Sequence, residues 1–158
     1  MSPSKTRAER VETDVLLAIK PDHLADIISR EKNQECRKYR LKDGISRLWL
    51  YDTVSGGGRS SIRHIAVIPP KTRHEPGSVP TEPFGIGNED FNAGRKESKY
   101  GYPILELDEL VNPVTLYEIK TRWGMGGAPM TWQYVALDLW KDRWGEDEER
   151  HERVKKLF

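Results

Sequence analysis

The sequence predicts an α+β domain, a small and partly closed β-barrel of five to six mixed strands flanked by two to three short helices. Several short apolar or alternating stretches are separated by glycine- and proline-rich turns, a pattern typical of small barrels. Two further stretches repeat apolar residues at helical spacing. The 158 residues contain no internal repeat and fit one domain that can bury a core of its own.

The alternation of apolar and polar residues locates the elements. Strands are predicted at 15–19, 33–41, 48–54, 62–68, 102–110 and 132–139. Pro21 and Asp22 open a short helix that ends near Arg30, with Asp22 as its cap. Thr115 and Glu118 match a capping box, which predicts another helix. A third short helix is expected at 88–96, and the turn signal at 112–113 is expected to end the strand before it.

The two ends of the sequence differ from its middle. Residues 1–13 are polar and are expected to be a disordered leader, residues 14–139 form the domain, and residues 140–158 form a charged C-terminal helix or tail. This tail could dock a protein partner, but its nearly balanced charges favour a solvated helix.

Composition excludes some classes of protein. The sole cysteine, Cys36, permits no intrachain disulfide, which agrees with an intracellular location, cytoplasmic or nuclear. No apolar run of 18 residues is present, so no membrane partner is expected. The four histidines are scattered without metal-ligand spacing, and neither a metal nor a cofactor is expected. Because the net charge is only +1, any affinity for nucleic acid must come from a local patch.

A lysine, a glutamate and an arginine follow the first predicted helix. Glu35 and Arg37 alternate along the second strand and therefore share a face, and Lys32 precedes them. Together they offer donors and one acceptor, a set that suits a nucleotide base and its phosphate. The alternative is a set of surface salt bridges that contributes little free energy.

Basic and aromatic residues nearby extend this candidate site. Lys20, Arg37 and Lys38 belong to a locally dense basic set that could follow a phosphate backbone or could be a solvated strand edge. Alternation cannot place Arg37 and Lys38 on one face of a regular strand. Trp123, beside the glycine-rich loop, and Trp132 are the aromatic candidates for stacking on bases, although most aromatic residues belong to cores.

The order of these motifs resembles that of the ASCH domains of the PUA-like superfamily. Lys32, Glu35 and Arg37 match the pattern G-x-K-x-x-E-x-R, and Arg30 occupies the position of its glycine. The stretches 16–21, 112–116 and 129–135 are similar to the opening strand, the closing helix and the closing strand of the family, so that the resemblance spans 15–137. With Arg30 in place of glycine, the turn after the first helix could differ.

The resemblance implies a nucleic-acid-binding domain, because PUA-like domains generally hold nucleotides in a cleft between barrel and helices. RNA or a nucleotide is favoured over DNA as the partner. Lys32 and Glu35 would line a basic cleft with Arg37, while Lys20 and Lys38 would hold phosphates. Trp132 is favoured for stacking by its place in the family pattern.

Two other functions stay open. Some ASCH proteins resemble hydrolases that act on acetylated cytidine, and others are reported as ribonucleases; here Lys32 and Glu35 would be the catalytic residues. The former enzymes place a threonine three residues after the lysine, where this sequence has Glu35, which counts against the same chemistry. The remaining alternative is a protein-interaction cofactor in transcription or translation that docks through its tail.

Overall fold

The computed structural model describes residues 9–54, 59–126 and 131–158. This part of the chain forms eight strands: β1 (Arg10–Ile19), β2 (Gln34–Arg37), β3 (Arg47–Asp52), β4 (Ser61–Val67), β5 (Tyr100–Pro103), β6 (Glu106–Thr115), β7 (Trp132–Ala136) and β8 (Val154–Lys156). It also forms five helices: α1 (Pro21–Ile28), α2 (Asn88–Asn92), α3 (Leu116–Thr121), α4 (Leu137–Arg143) and α5 (Asp147–Arg153). None of these helices is long and apolar enough to cross a membrane.

The strands form two sheets. The main sheet has six strands in the order β7-β1-β3-β4-β6-β8, in which β1 and β3 are parallel and the other neighbours are antiparallel. Strands β2 and β5 form a separate small antiparallel sheet, and Gly101 of β5 also forms an isolated antiparallel bridge with His74. The α+β class is confirmed, but the main sheet is not closed into the predicted barrel, because β7 and β8 lie at its opposite edges. Alternation identifies a strand without identifying its partner, which is why the sequence did not separate β2 and β5 from the main sheet.

The main sheet is buried on both of its faces. Leu17 of β1 and Leu48 of β3 belong to one core cluster, which also contains Leu24 and Ile27 of α1. Leu16 of β1 belongs to a second cluster with residues of α3 and α4. Since successive side chains of a strand point to opposite faces, α1 covers one face of the sheet, and α3 and α4 cover the other.

Several boundaries differ from the sequence predictions. Strand β1 begins at Arg10, inside the segment predicted as a disordered leader, of which residues 1–8 lie outside the described part. Strand β6 continues through Pro113 because the register between β4 and β6 shifts there, so that no ladder bond to β4 needs a Pro113 N–H. The predicted strand 132–139 ends at Ala136, where α4 begins, and the predicted tail contains α5 and a strand, β8, that pairs with β6.

The helix starts follow the sequence in part. Helix α3 has the predicted capping box, in which the Thr115 hydroxyl accepts from the Glu118 N–H and the Glu118 carboxylate accepts from the Thr115 N–H. Helix α1 begins at Pro21 with Lys20, and not Asp22, at the N-cap position, where it makes no side-chain cap.

The end of α1 depends on a residue in the left-handed region. Arg30 has φ 67°, and the Lys32 N–H donates to the carbonyl of Asp26 at 3.0 Å. A residue with positive φ after a helix is usually glycine, because a Cβ there clashes with the backbone. The turn therefore keeps a glycine-like conformation although Arg30 occupies the glycine position of the motif, and the Arg30 guanidinium lies 4.5 Å from the centre of the Phe158 ring.

Two replacements of Arg30 distinguish the cost of its left-handed backbone from the benefit of its contact with the Phe158 ring. Arg30→Ala loses the contact and keeps the left-handed strain, whereas Arg30→Gly loses the contact and removes the strain. We expect Arg30→Gly to be more stable than Arg30→Ala by about 1 kcal/mol in urea unfolding. Equal stability of the two variants would show that Arg30 is not held in this conformation in solution.

Candidate functional site

A cleft opens where the parallel strands β1 and β3 end. Ile19 and Asp52 are register partners at the ends of these strands, so the chain segments that follow them leave the sheet side by side. Helix α1, the small sheet and the segment before β5 complete the walls. The cavity has a volume of about 650 Å³ and is lined by eight ionisable residues: Lys20, His23, Lys32, Glu35, Cys36, Arg37, Lys96 and Glu97.

Glu35 is the buried acid of this cleft. It lies on β2 with only 4% of its surface exposed, and its Oε1 accepts from Arg37 Nε at 2.9 Å. The Arg37 guanidinium also donates to the Ala18 carbonyl of β1 at 2.7 Å. The other carboxylate oxygen, Glu35 Oε2, is buried and has no hydrogen-bond partner among the described residues. A buried oxygen of this kind is costly unless a ligand or water donates to it.

Lys32 is buried beside a histidine. It is 6% exposed, and its Nζ lies 3.2 Å from Nδ1 of His23 on α1. Partial burial and the Lys32 ammonium both lower the pKa of His23 below its ordinary value of 6.5. His23 is therefore neutral at pH 7, and because Lys32 has only donors, the ring proton is on Nε2 and Nδ1 accepts.

The ionisable lining carries more positive than negative charge. Its cations are Lys20, which is exposed, Lys96, which is half-buried, and the Lys32 and Arg37 already described; its carboxylates are Glu35 and Glu97. Four cations face two carboxylates, so the field inside the cleft favours an anionic ligand. Burial raises the pKa of the Cys36 thiol, which is therefore neutral at pH 7.

The structure brings together four of the seven residues that the sequence assigned to a site. Lys20, Lys32, Glu35 and Arg37 line the cleft. Lys38 does not line it, and its ammonium lies 2.9 Å from Glu97 Oε2 with 71% of the side chain exposed. Lys38 follows the end of β2, so strand alternation does not determine the direction of its side chain.

The two tryptophans lie elsewhere. Trp123 is 9% exposed, belongs to the core cluster on the sheet face opposite α1, and does not line the cleft. The glycine-rich loop beside it includes residues 127–130, which lie outside the described part. Trp132 is a register partner of Leu17 and packs edge-on against Tyr134, with ring centres 5.0 Å apart, and does not line the cleft.

Sequence reasoning missed four of the ionisable lining residues: His23, Cys36, Lys96 and Glu97. His23 lies two residues after the start of α1, and it contacts Lys32, which follows the end of that helix. Lys96 is brought in by the segment before β5, and no local pattern marks it. No group of three His, Cys, Asp or Glu residues suited to a metal occurs in the described ranges.

The fold of the domain is similar to that of known structures. The structure is similar to the ASCH protein of Zymomonas mobilis, with a TM-score of 0.55 at 13% identity over 81% of this chain and 91% of that one. A serine-to-alanine mutant of the same protein gives a TM-score of 0.59 at 13% identity over 85% and 96% of the two chains. A tyrosine-to-phenylalanine mutant gives 0.59 at 13% identity over 82% and 95%.

The chain therefore has the ASCH fold, as the motif at Lys32, Glu35 and Arg37 indicated. The sequence itself matches no protein-family model and no curated protein.

Loss of Arg37 should destabilise the fold through Glu35. Arg37→Met leaves a buried carboxylate without its cation, and we expect a loss of about 3 kcal/mol in urea unfolding. The double variant Glu35→Gln with Arg37→Met should recover part of this loss, because no buried charge remains unpaired. A double variant no more stable than Arg37→Met would show that the pair is not coupled as described.

The pKa of His23 should report on Lys32. Partial burial, the Lys32 ammonium and the Lys96 ammonium all lower this pKa, and Lys32→Met removes one of these three causes, so we expect the pKa of His23 to rise in an NMR titration of its ring protons. Lys20→Met removes an equal charge from the same cleft without affecting His23 and is the matched control. An unchanged His23 pKa in Lys32→Met would rule out the contact between the two side chains.

Proposed function

We propose that this domain binds single-stranded nucleic acid, RNA in preference to DNA, by holding one nucleotide in the cleft. The observation that carries this proposal is the buried Glu35 Oε2, which lacks a donor in a cleft whose ionisable lining is otherwise mainly cationic. The ASCH fold agrees with this proposal, and the cavity of about 650 Å³ falls within the ordinary range for small-ligand sites.

A comparison with Asp14 supports a ligand role for Glu35. Asp14 is fully buried on β1, and both of its oxygens accept hydrogen bonds, from Arg47 Nε and from Trp49 Nε1. Each oxygen of this carboxylate already has a hydrogen-bond donor from the protein, so it needs no ligand. Glu35 is buried to nearly the same degree but has a partner on one oxygen only. The other buried polar atoms without partners belong, in the described ranges, to residues that do not line this cleft: Gln34, Asp52, His64, Trp123, Trp140 and Trp144.

The chemistry of Glu35 fits the edge of a nucleobase. A carboxylate oxygen accepts hydrogen bonds and donates none, so it selects a ligand that presents N–H groups. An exocyclic amine, such as that of cytosine, is a known partner of glutamate in nucleic-acid recognition. Because Arg37 fixes the carboxylate through Oε1, Oε2 is already oriented for such a donor before the ligand arrives.

The cations of the cleft fit the phosphate. Lys20 is exposed and Lys96 is half-buried, so both ammonium groups can bind a phosphate without first losing their whole hydration shell. Arg37 is less free, since two of its donors are committed to Glu35 and Ala18. Its role in this proposal is to position Glu35, and the phosphate is assigned to Lys20 and Lys96.

One observation favours a second function, hydrolysis of a modified nucleoside. Lys32 Nζ contacts a neutral His23, and Glu35 lines the same cavity, which together give an ammonium donor, a neutral imidazole and a carboxylate that can accept a proton. Such a set could direct water to an acylated exocyclic amine. The water hydroxyl would add to the acyl carbon, the C–N bond would break, and the freed nitrogen would take the proton.

Binding is tested by fluorescence anisotropy with short, labelled single-stranded RNA and DNA at two salt concentrations. We expect affinity that falls with salt, and that falls about ten-fold further in Glu35→Gln and in Lys32→Ala. Lys20→Ala should lower the slope of log affinity against log salt by about 1. Lys120→Ala, which removes the same charge from an exposed position on α3, is the control.

Absence of binding to either strand at low salt would overturn the proposal. Mass spectrometry of the oligonucleotides and of an N4-acylated cytidine after incubation tests the second function. A product that forms with the wild-type protein and not with Lys32→Ala would establish hydrolysis, whereas unchanged molecules support a binding module.

A further inference from the structure

We infer that Phe84 and the cavity it lines form a second base-binding position, so that the ligand is a strand of at least two nucleotides and not a free nucleotide. This inference rests on the proposed function of the cleft. It adds a partner for the second base and assigns the phosphate between the two bases to Lys96.

Phe84 is an aromatic side chain that the fold leaves uncovered. It is 75% exposed, whereas Phe91 of α2 is fully buried. It lines a cavity of about 520 Å³ together with Pro80, Thr81 and Asn88. No lysine or arginine among the described residues lines this cavity, and Glu89 is its one carboxylate. The cavity therefore suits the uncharged face and edge of a base and does not suit a phosphate.

The loop that carries Phe84 is fastened to the wall of the first cleft. Asn33 Nδ2 donates to the Pro83 carbonyl at 3.1 Å, and the Ile86 N–H donates to the Glu31 carbonyl at 2.9 Å. Both anchors lie immediately beside Lys32 in the sequence. The ring of Phe84 is thus presented by a backbone that is tied to the segment forming the candidate nucleotide site.

Close packing at Gly85 supports the same placement. A Cβ at this position would lie 2.2 Å from Asn33 Oδ1, so the loop approaches Asn33 more closely than any other residue type allows. Asn33 Oδ1 in turn accepts from Asn88 Nδ2 at 2.8 Å. An exposed aromatic ring on a well-anchored loop can stack on a base with little loss of conformational entropy.

Lys96 connects the two positions. It lines the cleft that contains Glu35, and its Nζ would lie 2.4 Å from a Cβ placed on Gly87. Gly87 lies between Gly85 and Asn88, both of which line the cavity beside Phe84. An ammonium group at this place is positioned for the phosphate that joins a base in the cleft to a base on Phe84.

The test compares 5′-mononucleotides with the corresponding 5′-phosphorylated dinucleotides of A, C, G and U as competitors of a short labelled RNA. We expect the preferred dinucleotide to bind about ten-fold more tightly than its mononucleotide, as one additional stacked base implies. Phe84→Ala should remove this advantage and leave the affinity for the mononucleotide unchanged. Phe84→Trp should retain it.

Tyr117→Ala is the matched control, because Tyr117 is also 75% exposed but lies on α3. Thermal unfolding shows whether each variant is folded. If Phe84→Ala leaves the dinucleotide advantage intact, or lowers the affinity for both ligands equally, the second base position is wrong while the first cleft stands. If neither ligand binds the wild-type protein, the proposed function fails as well.

Discussion

The pairing of Glu35 with Arg37 is the constraint on which the cleft depends. A carboxylate that is 4% exposed is tolerated only when a cation and hydrogen bonds compensate for the water it has lost. Arg37 meets this need through Nε and uses a second donor for the Ala18 carbonyl, which belongs to a different sheet. One side chain thereby holds the small sheet against the end of β1 and leaves one oxygen of Glu35 available.

The core cluster under α3 and α4 and the lining of the cleft consist of different residues. The face covered by α3 and α4 contains Trp49, Trp123 and Trp144 in a core cluster, and none of the buried members of this cluster lines the cleft. Polar groups that line the cleft are gathered at one edge, where β1 and β3 end and where side chains can leave the sheet without disrupting its packing. Part of this edge also contributes to the free energy of folding, because Ile19 belongs to the core cluster beneath α1 and Arg37 ties the small sheet to β1.

The sequence predicted some elements well for local physical reasons. The capping box of Thr115 and Glu118 is complete within four residues, and the alternation at Glu35 and Arg37 requires only that the segment be extended. Strand partners, by contrast, are decided by contacts between distant segments. Nothing in the alternation of residues 33–41 distinguishes a barrel strand from a two-stranded sheet with β5.

The candidate site shows the same limit. Lys32, Glu35 and Arg37 lie within six residues of one another and match a family pattern, so they could be named together from the sequence. Lys96 lines the cleft only because of how the segment before β5 folds. Trp123 is buried in a core cluster that also contains Leu139 of α4. Its place beside glycines could not reveal that burial, since loop composition does not report on tertiary contacts.

The position of Cys36 gives the protein a built-in spectroscopic handle. It is the sole cysteine of the sequence, and it lines the cleft beside Glu35. A thiol-directed dye would thus attach at one place, inside the cavity, without any engineered residue. Because burial raises the pKa of this thiol, labelling at neutral pH would be slow and would accelerate in mild alkali. Occupancy of the cleft could then be followed by how far a bound molecule slows the modification.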